Sequence, residues 1–386
     1  MGTPFIPPRE VLHASLDAIL DARRLSNDGP FVQELEHRLA ELHGVRQAVA
    51  MGNATVALQV LLRALGLQGE ILLPSFTFIA TAHAVSWEQL GVHFVDIDAE
   101  SHCIDPHAAA AAVGPRTAAI IGVHLWGQPC DVERLAAVAS RAGLPLILDA
   151  AQALGASPAT FGSGALASVL SLHATKIVSG LEGGAVLTND DGLAATLRRM
   201  RNFGFAGYDT VVSLGTNAKL NEFSAAFALG GLACLEGLIQ RNSAIQAAYQ
   251  EGLAELPGVI VHGPSRQRQS NHHYVVVMID DGACPLSRDE LLQTLWADNI
   301  LARRYFYPGC HRMEPYRSDP SPRWPSLPVT EDVAGRVLVL PAGSAVTMDD
   351  IDQICQRIRQ ALEQAPRVRG CLAGKAITPS GPEQMA

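Results

Sequence analysis

A lysine standing where an apolar strand ends is the first residue of this chain that invites chemistry. Lys176 follows the apolar run 167–172 and the small polar residues His173-Ala174-Thr175. A glycine-rich turn, 179–184, leads from it into a second apolar run, 185–188. An amine taken out of water loses its proton more readily, so near neutral pH it becomes a nucleophile able to form an imine with a carbonyl compound. Read alone, Lys176 is more readily a lysine whose tip reaches solvent than a catalyst. Other residues have to decide between the two.

Several do, because they occupy the same kind of position. Asp149 closes the apolar run 144–148 and is followed by Ala150-Ala151-Gln152. Asn53-Ala54-Thr55 stands between a short strand, 47–51, and a helix reaching Leu65. Free N–H groups and the helix dipole make such a junction an anion site, and an ordinary capped helix start looks the same. Phe78 follows a strand that ends at Pro74. Together these residues match the needs of pyridoxal phosphate (PLP). Lys176 would form the imine, and Asp149 would keep the ring nitrogen protonated by a charge-assisted hydrogen bond. Phe78 would stack on the ring. The Ala54 and Thr55 amides, with the Ser171 hydroxyl, would hold the phosphate. Gln152 would reach the ring hydroxyl or the substrate. Each has a plain alternative, Asp149 as a helix cap, Phe78 as core and Ser171 as a turn residue, but all of them fall at one edge of one sheet.

The elements that must bring them there are legible as a pattern. Apolar strands alternate with amphipathic helices, which predicts an α/β fold with a mainly parallel sheet covered on both faces. Ligands of such sheets sit at the carboxyl ends of the strands. A large domain over 1–250, opened by helices at 9–23 and 31–43, is expected to precede a smaller C-terminal α/β domain over 251–364. Two helices, 222–238 and 241–256, are expected near the boundary. The smaller part should contain strands at 273–279, 300–307 and 336–340, and helices at 287–296 and 348–362. Residues 365–386 mix Pro, Gly, Arg and Gln without periodicity and read as a mobile tail.

Composition narrows the classes. At 386 residues the chain is long enough for a large core, and 48% hydrophobic residues with only 17% charged fit a well-buried α/β protein. A net charge of −9 with no long basic block argues against nucleic acid as the main partner, yet Arg303-Arg304 suffices for a small anion. Cysteines at 103, 130, 234, 284, 310, 355 and 371 form no Cys-x-x-Cys, which points to reduced thiols, a cytoplasmic setting and no metal site. The first ten residues lack the apolar core of a signal peptide, and no apolar run is long enough for a membrane span.

A longer set of motifs carries a resemblance. It runs through Asn27-Asp28-Gly29-Pro30, Pro74-Ser75-Phe76-Thr77-Phe78-Ile79-Ala80-Thr81 and Phe94-Val95-Asp96-Ile97-Asp98. It continues through Val123-His124-Leu125-Trp126-Gly127, Asp149-Ala150-Ala151-Gln152 and Ser171-Leu172-His173-Ala174-Thr175-Lys176. Glu182-Gly183-Gly184, Arg201-Asn202-Phe203-Gly204 and Asn217-Ala218-Lys219-Leu220-Asn221-Glu222 complete it. In these the chain resembles the DegT/DnrJ/EryC1/StrS sugar aminotransferases, a group within the fold-type-I PLP enzymes. The resemblance implies the roles given above and makes Lys176 a proton shuttle as well. It implies that Asn217 reaches the phosphate of a partner subunit, hence a homodimer with shared active sites. It implies L-glutamate as amino donor and a nucleotide-linked keto sugar as acceptor. The stretch 302–311 is similar to that of enzymes acting at C4 of dTDP-4-keto-6-deoxyglucose, which places Arg303, Tyr305 and His311 at the substrate. A diphosphate favours arginine, and strand alternation would let only one of Arg303 and Arg304 face it. Leu154, Ile177 and Ser179-Gly180-Leu181 depart from the family's usual residues and bear on substrate preference. Lysine at 176 disfavours the related dehydratases, which carry histidine there. A 3-aminotransferase, a PLP-binding regulator without turnover, and an α/β protein using Asn53–Thr55 for another phosphate ligand remain as alternatives.

Overall fold

The computed structural model describes residues 4–156, 164–263, 269–319 and 324–373. Seven strands form the main sheet: β1 Gln47–Met51, β2 Glu70–Pro74, β3 Gly91–Val95, β4 Thr117–Val123, β5 Leu146–Asp149, β6 Ala167–Ser171 and β7 Gly184–Thr188. Their spatial order is β1-β7-β6-β5-β4-β2-β3. Strand β7 runs antiparallel to both β1 and β6, and every other pairing is parallel.

The strands read as continuous apolar runs because both faces are buried. In β1, Val49 and Met51 enter one core cluster while Ala48 and Ala50 enter the cluster on the opposite face. Helices α1 Arg9–Ala22, α2 Pro30–His43, α3 Ala54–Ala64, α4 Ile79–Trp87, α5 Pro106–Ala112, α6 Val132–Ala142 and α7 Asp191–Met200 accompany this sheet. Side-chain caps begin several of them, Asn53 for α3, Asp131 for α6 and Asp190 for α7.

Next come α8 Glu222–Leu232 and α9 Leu235–Leu253, which meet at a bend of 60°. The break falls earlier than the sequence pattern suggests. Gly230 and Gly231 lie under Pro7 and Val178, whose atoms would stand 2.9 and 3.1 Å from an added Cβ. Two adjacent glycines weaken the helix just where it stops. The second sheet, order β10-β9-β8, is antiparallel and comprises β8 Val259–His262, β9 Val275–Ile279 and β10 Val337–Leu340. Its core also takes Ile245, Tyr249 and Leu253 of α9, so a boundary near residue 250 falls inside a continuous helix. Helices α10 Arg288–Ala297 and α12 Met348–Glu363 each begin with a capping box, Ser287 with Glu290 and Thr347 with Asp350. Helix α11 Pro328–Arg336 lies between them.

Two expectations need correction. Residues 300–307 are not a strand. Arg303 exchanges both backbone hydrogen bonds with Val339 (2.9 and 2.7 Å), and the chain then turns, Tyr307 N–H donating to Arg304 C=O. Pro308, with no N–H to offer, could not extend the ladder. Nor is the end irregular from residue 365, because Ala365–Leu372 is a helix, α13, with proline in its first turn. Arg369 ties it to the start of α10 through Glu290 (3.2 Å) and the carbonyl of Pro285 (2.6 Å). The remainder of the expected tail, 374–386, lies outside the described residues. No single helix among those described is long and apolar enough to cross a membrane.

Candidate active site

The carboxyl ends of β1, β2, β4, β5 and β6 open onto one cavity of about 900 Å³. Lys176, Asp149, Gln152, Ser171, Ala54, Thr55, Phe78, Arg303 and Tyr305 all line it. Sequence spacing alone could not show this, since these residues come from four strand ends and a distant loop.

At one end is a cradle of backbone. Asn53 accepts the Val56 N–H (2.9 Å), and the Asn53 carbonyl accepts that of Ala57, so Asn53 is the cap of α3. The cap leaves the N–H groups of Ala54 and Thr55 without a partner among the described residues. The floor is Gly184, paired with Met51 on one side and Ser171 on the other. A Cβ on Gly184 would stand 2.5 Å from the Ala54 nitrogen. Two free amides at a helix start, a neighbouring hydroxyl and a floor without a side chain fit a phosphate group.

Deeper in, Asp149 and Lys176 face the same space. Asp149 Oδ2 accepts the Thr81 hydroxyl (2.7 Å), and Oδ1 accepts the Ala151 N–H (3.1 Å). Thr81 is oriented in turn by Thr77 (3.1 Å). Burial pushes the Asp149 carboxyl above its ordinary range, against the opposing pull of these hydrogen bonds and of Lys176. Burial likewise holds the Lys176 amine below the usual lysine range, with Asp149 and Tyr305 pulling the other way. Both side chains are partly accessible from the cavity they line. The desolvation therefore belongs to a closed site rather than a solid core. A cationic ring nitrogen placed beside Asp149 would add to the countercharge that Lys176 offers this carboxylate.

Gln152 is fixed by Trp126, whose N–H donates to its Oε1 (2.9 Å). That assigns the amide and leaves its NH₂ without a partner among the described residues, a ready donor to a ring oxygen. Phe78 is 45% exposed although it caps α4, and the surface it shows lines the cavity. An aromatic face presented to a polar cavity suits a flat heteroaromatic ring. The residues present therefore fit PLP.

Three predicted substrate residues fare differently. Arg303 and Tyr305 line the cavity, with Arg303 Nη1 donating to the Tyr305 hydroxyl (3.4 Å). Arg304 is turned away onto Asp289 (3.1 Å) and the Tyr307 ring (4.5 Å). His311 does not reach the cavity. Its Nδ1 meets the Ser75 hydroxyl at 2.6 Å and its Nε2 lies 3.3 Å from Glu331, so its ring braces the chain behind the site. Asn217 is exposed and also lies outside the cavity, on a loop bridged back to Asn202.

Other residues escaped the sequence reading. Thr81 stands one helical turn beyond Phe78, a spacing that could have revealed it. His273 and Tyr274 line the cavity and Asn271 is buried next to them in the chain; all three lie between β8 and β9 and carry no local signal. Their place exists only in the folded chain.

Comparison with known proteins agrees with this geometry. The model of the DegT/DnrJ/EryC1/StrS aminotransferase family matches residues 9–359. A dTDP-4-amino-4,6-dideoxy-D-glucose transaminase from Escherichia coli is 36% identical over 344 residues, covering 88% of this chain and 92% of that protein. The crystal structure of DesI in the presence of its TDP-sugar product superimposes with a TM-score of 0.90 at 46% identity, covering 96% of this chain and 93% of that one. S. venezuelae DesV, solved in complex with a ketimine intermediate, gives a TM-score of 0.85 at 31% identity over 94% of this chain and 99% of its own. The chain belongs to the DegT/DnrJ/EryC1/StrS aminotransferase family.

Proposed function

We propose that this aminotransferase uses PLP to move an amino group from L-glutamate to C4 of a nucleotide-linked 4-keto-6-deoxy sugar, dTDP-4-keto-6-deoxyglucose above all. The observation that carries the reading is the desolvated pair Lys176 and Asp149 in one cavity, beside a phosphate-sized cradle at the start of α3. Relatives named for sugar amination, one of them solved with a TDP-sugar product, support the acceptor.

The cofactor, when bound, supplies an electron sink that makes a carbon–hydrogen bond beside nitrogen acidic. The chain's own residues do the rest. Lys176 Nζ serves first as the anchoring amine and, once released, as the base that takes a proton from the donor carbon and returns it. Its lowered proton affinity suits both duties. Asp149, steadied by Thr81 and Ala151, holds a proton on the facing ring nitrogen. Ala54, Thr55 and Ser171 hold the phosphate, Gln152 the ring oxygen and Phe78 the ring face. Arg303 and Tyr305, on the irregular stretch beyond α10, meet the anionic acceptor.

A second copy of the chain completes the site in this reading. The loop before Asn217 exposes Phe203, Phe205, Tyr208, Val211, Val212 and Leu214, too apolar a surface to stay bare. Asn217 itself lies away from its own cavity, as a residue serving a partner's phosphate would.

The test is spectroscopic and then chemical. The PLP-loaded protein should show an absorbance band that Lys176→Ala abolishes and that L-glutamate bleaches. With 4-keto and 3-keto sugar nucleotides supplied in turn, NMR of the product should place the new amine at C4. Failure of every amino donor to bleach the band would sink the enzyme reading. An amine at C3 would replace the acceptor.

A further inference from the structure

Of the loops that carry the site, those after β4, β5 and β6 are bound together by one short segment. Asn271-His272-His273 leads into β9 and crosses the carboxyl edge of the large sheet. The Asn271 N–H donates to the carbonyl of Gly127 (3.0 Å), after β4. Its side-chain NH₂ donates to the carbonyls of Gln152 and Leu154, both at 2.9 Å, after β5. Its Oδ1 accepts the His273 N–H (3.0 Å). His273 Nε2 lies 2.9 Å from the Thr175 carbonyl, in the loop after β6 and directly before Lys176. A carbonyl can only accept, so Nε2 carries a proton in this contact. Asn271 is fully buried. At Gly127, where φ is +79°, an added Cβ would fall 1.9 Å from Asn271 Oδ1, so the loop is shaped around this side chain.

We propose that Asn271 and His273 are positioning residues, a clamp from the C-terminal part of the chain that sets Lys176 and Gln152 at one relative height over the cavity. The clamp deepens the function proposed above and rests on it. Lys176 sits in a turn, its own N–H bonded to His173 C=O (2.9 Å), and no regular element fixes the Thr175 carbonyl except through His273. Gln152 is held from two sides, its Oε1 by Trp126 and its carbonyl by Asn271. Reaction geometry tolerates little slack, because a displacement of about 1 Å costs on the order of a hundredfold in rate. Burial also drives the His273 pKa down to about 4, which keeps a second positive charge away from Lys176 at neutral pH. The titratable groups acting on Lys176 are Asp149, Tyr305 and His273, and the cavity also holds His124, His173, Glu182 and Arg303.

The experiment compares His273→Leu, which removes the donor, with His273→Gln, whose amide NH₂ can replace it. In the cofactor-free full chain, amide exchange over residues 172–180 should speed up about tenfold in His273→Leu and stay near wild type in His273→Gln. In the PLP-loaded protein, the apparent pKa of the Lys176-dependent band should move by at least about half a unit in His273→Leu alone. Bleaching by glutamate should slow about tenfold while cofactor affinity changes less than about threefold. Should His273→Leu not fold, Asn271→Ser tests the other end, with faster exchange expected over 150–155. Equal exchange and an unmoved band in all three variants would overturn the clamp. A uniform rise in exchange across the chain would overturn it too, by showing a merely structural role. Exchange and band titration need no sugar, so they stand even if the acceptor assignment fails.

Discussion

The two ends of the cavity are built in opposite ways. The cofactor end consists of regular elements stopping: β1 into α3, β5 at Asp149, β6 before Lys176, with Gly184 as floor. Its groups are mostly backbone amides and short side chains, held by ladder and helix bonds that exist for other reasons. The proposed substrate end is the stretch 301–312, held by the bridge of Arg303 to β10, by the Cys310 N–H on the Ser75 carbonyl and by side-chain bonds such as that of Ser75 to His311. Precision at the first end is therefore inherited largely from the sheet, with Asn271 and His273 adding the long-range contacts to Gln152 and Thr175, while position at the second depends on individual long-range contacts throughout. Substitutions at the two ends should differ accordingly.

The largest effect is expected at the inherited end. Lys176→Ala should remove the absorbance band outright and cut transamination by about 10³-fold or more, the scale of losing both anchor and acid–base group. Asp149→Asn should retain the band but slow glutamate-dependent bleaching by about a hundredfold, because an amide cannot stabilise a cationic ring nitrogen. Stopped-flow absorbance reads both. If Asp149→Asn reacts at the normal rate, the carboxylate is an ordinary structural group and the reading of that end fails.

A subtler substitution separates backbone from side-chain design. Gly184→Ala adds one methyl group 2.5 Å from the Ala54 nitrogen. That contact is with backbone, so the cradle must widen. Cofactor affinity should fall about thirtyfold with Lys176 intact, and inorganic phosphate should protect the variant from heat less than it protects the parent. Unchanged affinity would mean that the phosphate lies elsewhere.

The same division explains what could be read in advance. Lys176, Asp149, Phe78 and Ala54–Thr55 were legible because each marks the end of a periodic run, and a parallel sheet gathers such ends by topology. The stretch 300–307 reads as a strand because Ile300, Tyr305, Phe306 and Tyr307 are residue types that favour strands, while the bridge that positions it comes from Val339 across the chain. Asn271 and His273 left no trace for the same reason, since what they hold, Gly127, Gln152 and Thr175, is local to nothing in their own segment. His311 entered through the similarity of the stretch 302–311, but its partners Ser75 and Glu331 come from β2's loop and α11. The early end of α8 turned on Pro7 and Val178 pressing against two glycines, contacts no periodicity encodes.

Two neighbouring arginines give the finest division, and it lies wholly within the substrate end. Arg303 lines the cavity, whereas Arg304 pairs with Asp289 at 3.1 Å where the side chains are 40% and 46% exposed. An exposed pair of that kind contributes about 0–1 kcal/mol, and its ring contact with Tyr307 about 0.5–1 kcal/mol. Arg303→Gln should therefore raise KM for the sugar nucleotide about tenfold, the cost of one arginine–phosphate contact, with the glutamate-driven bleaching rate within about twofold of normal. Arg304→Gln should leave both constants within about twofold and lower stability by about 1 kcal/mol or less. Steady-state kinetics with each substrate varied, and urea unfolding of both variants, decide it. Equal KM effects would mean that the side chains exchange places when substrate arrives, and the single bridge at Arg303 would then be a pivot rather than an anchor.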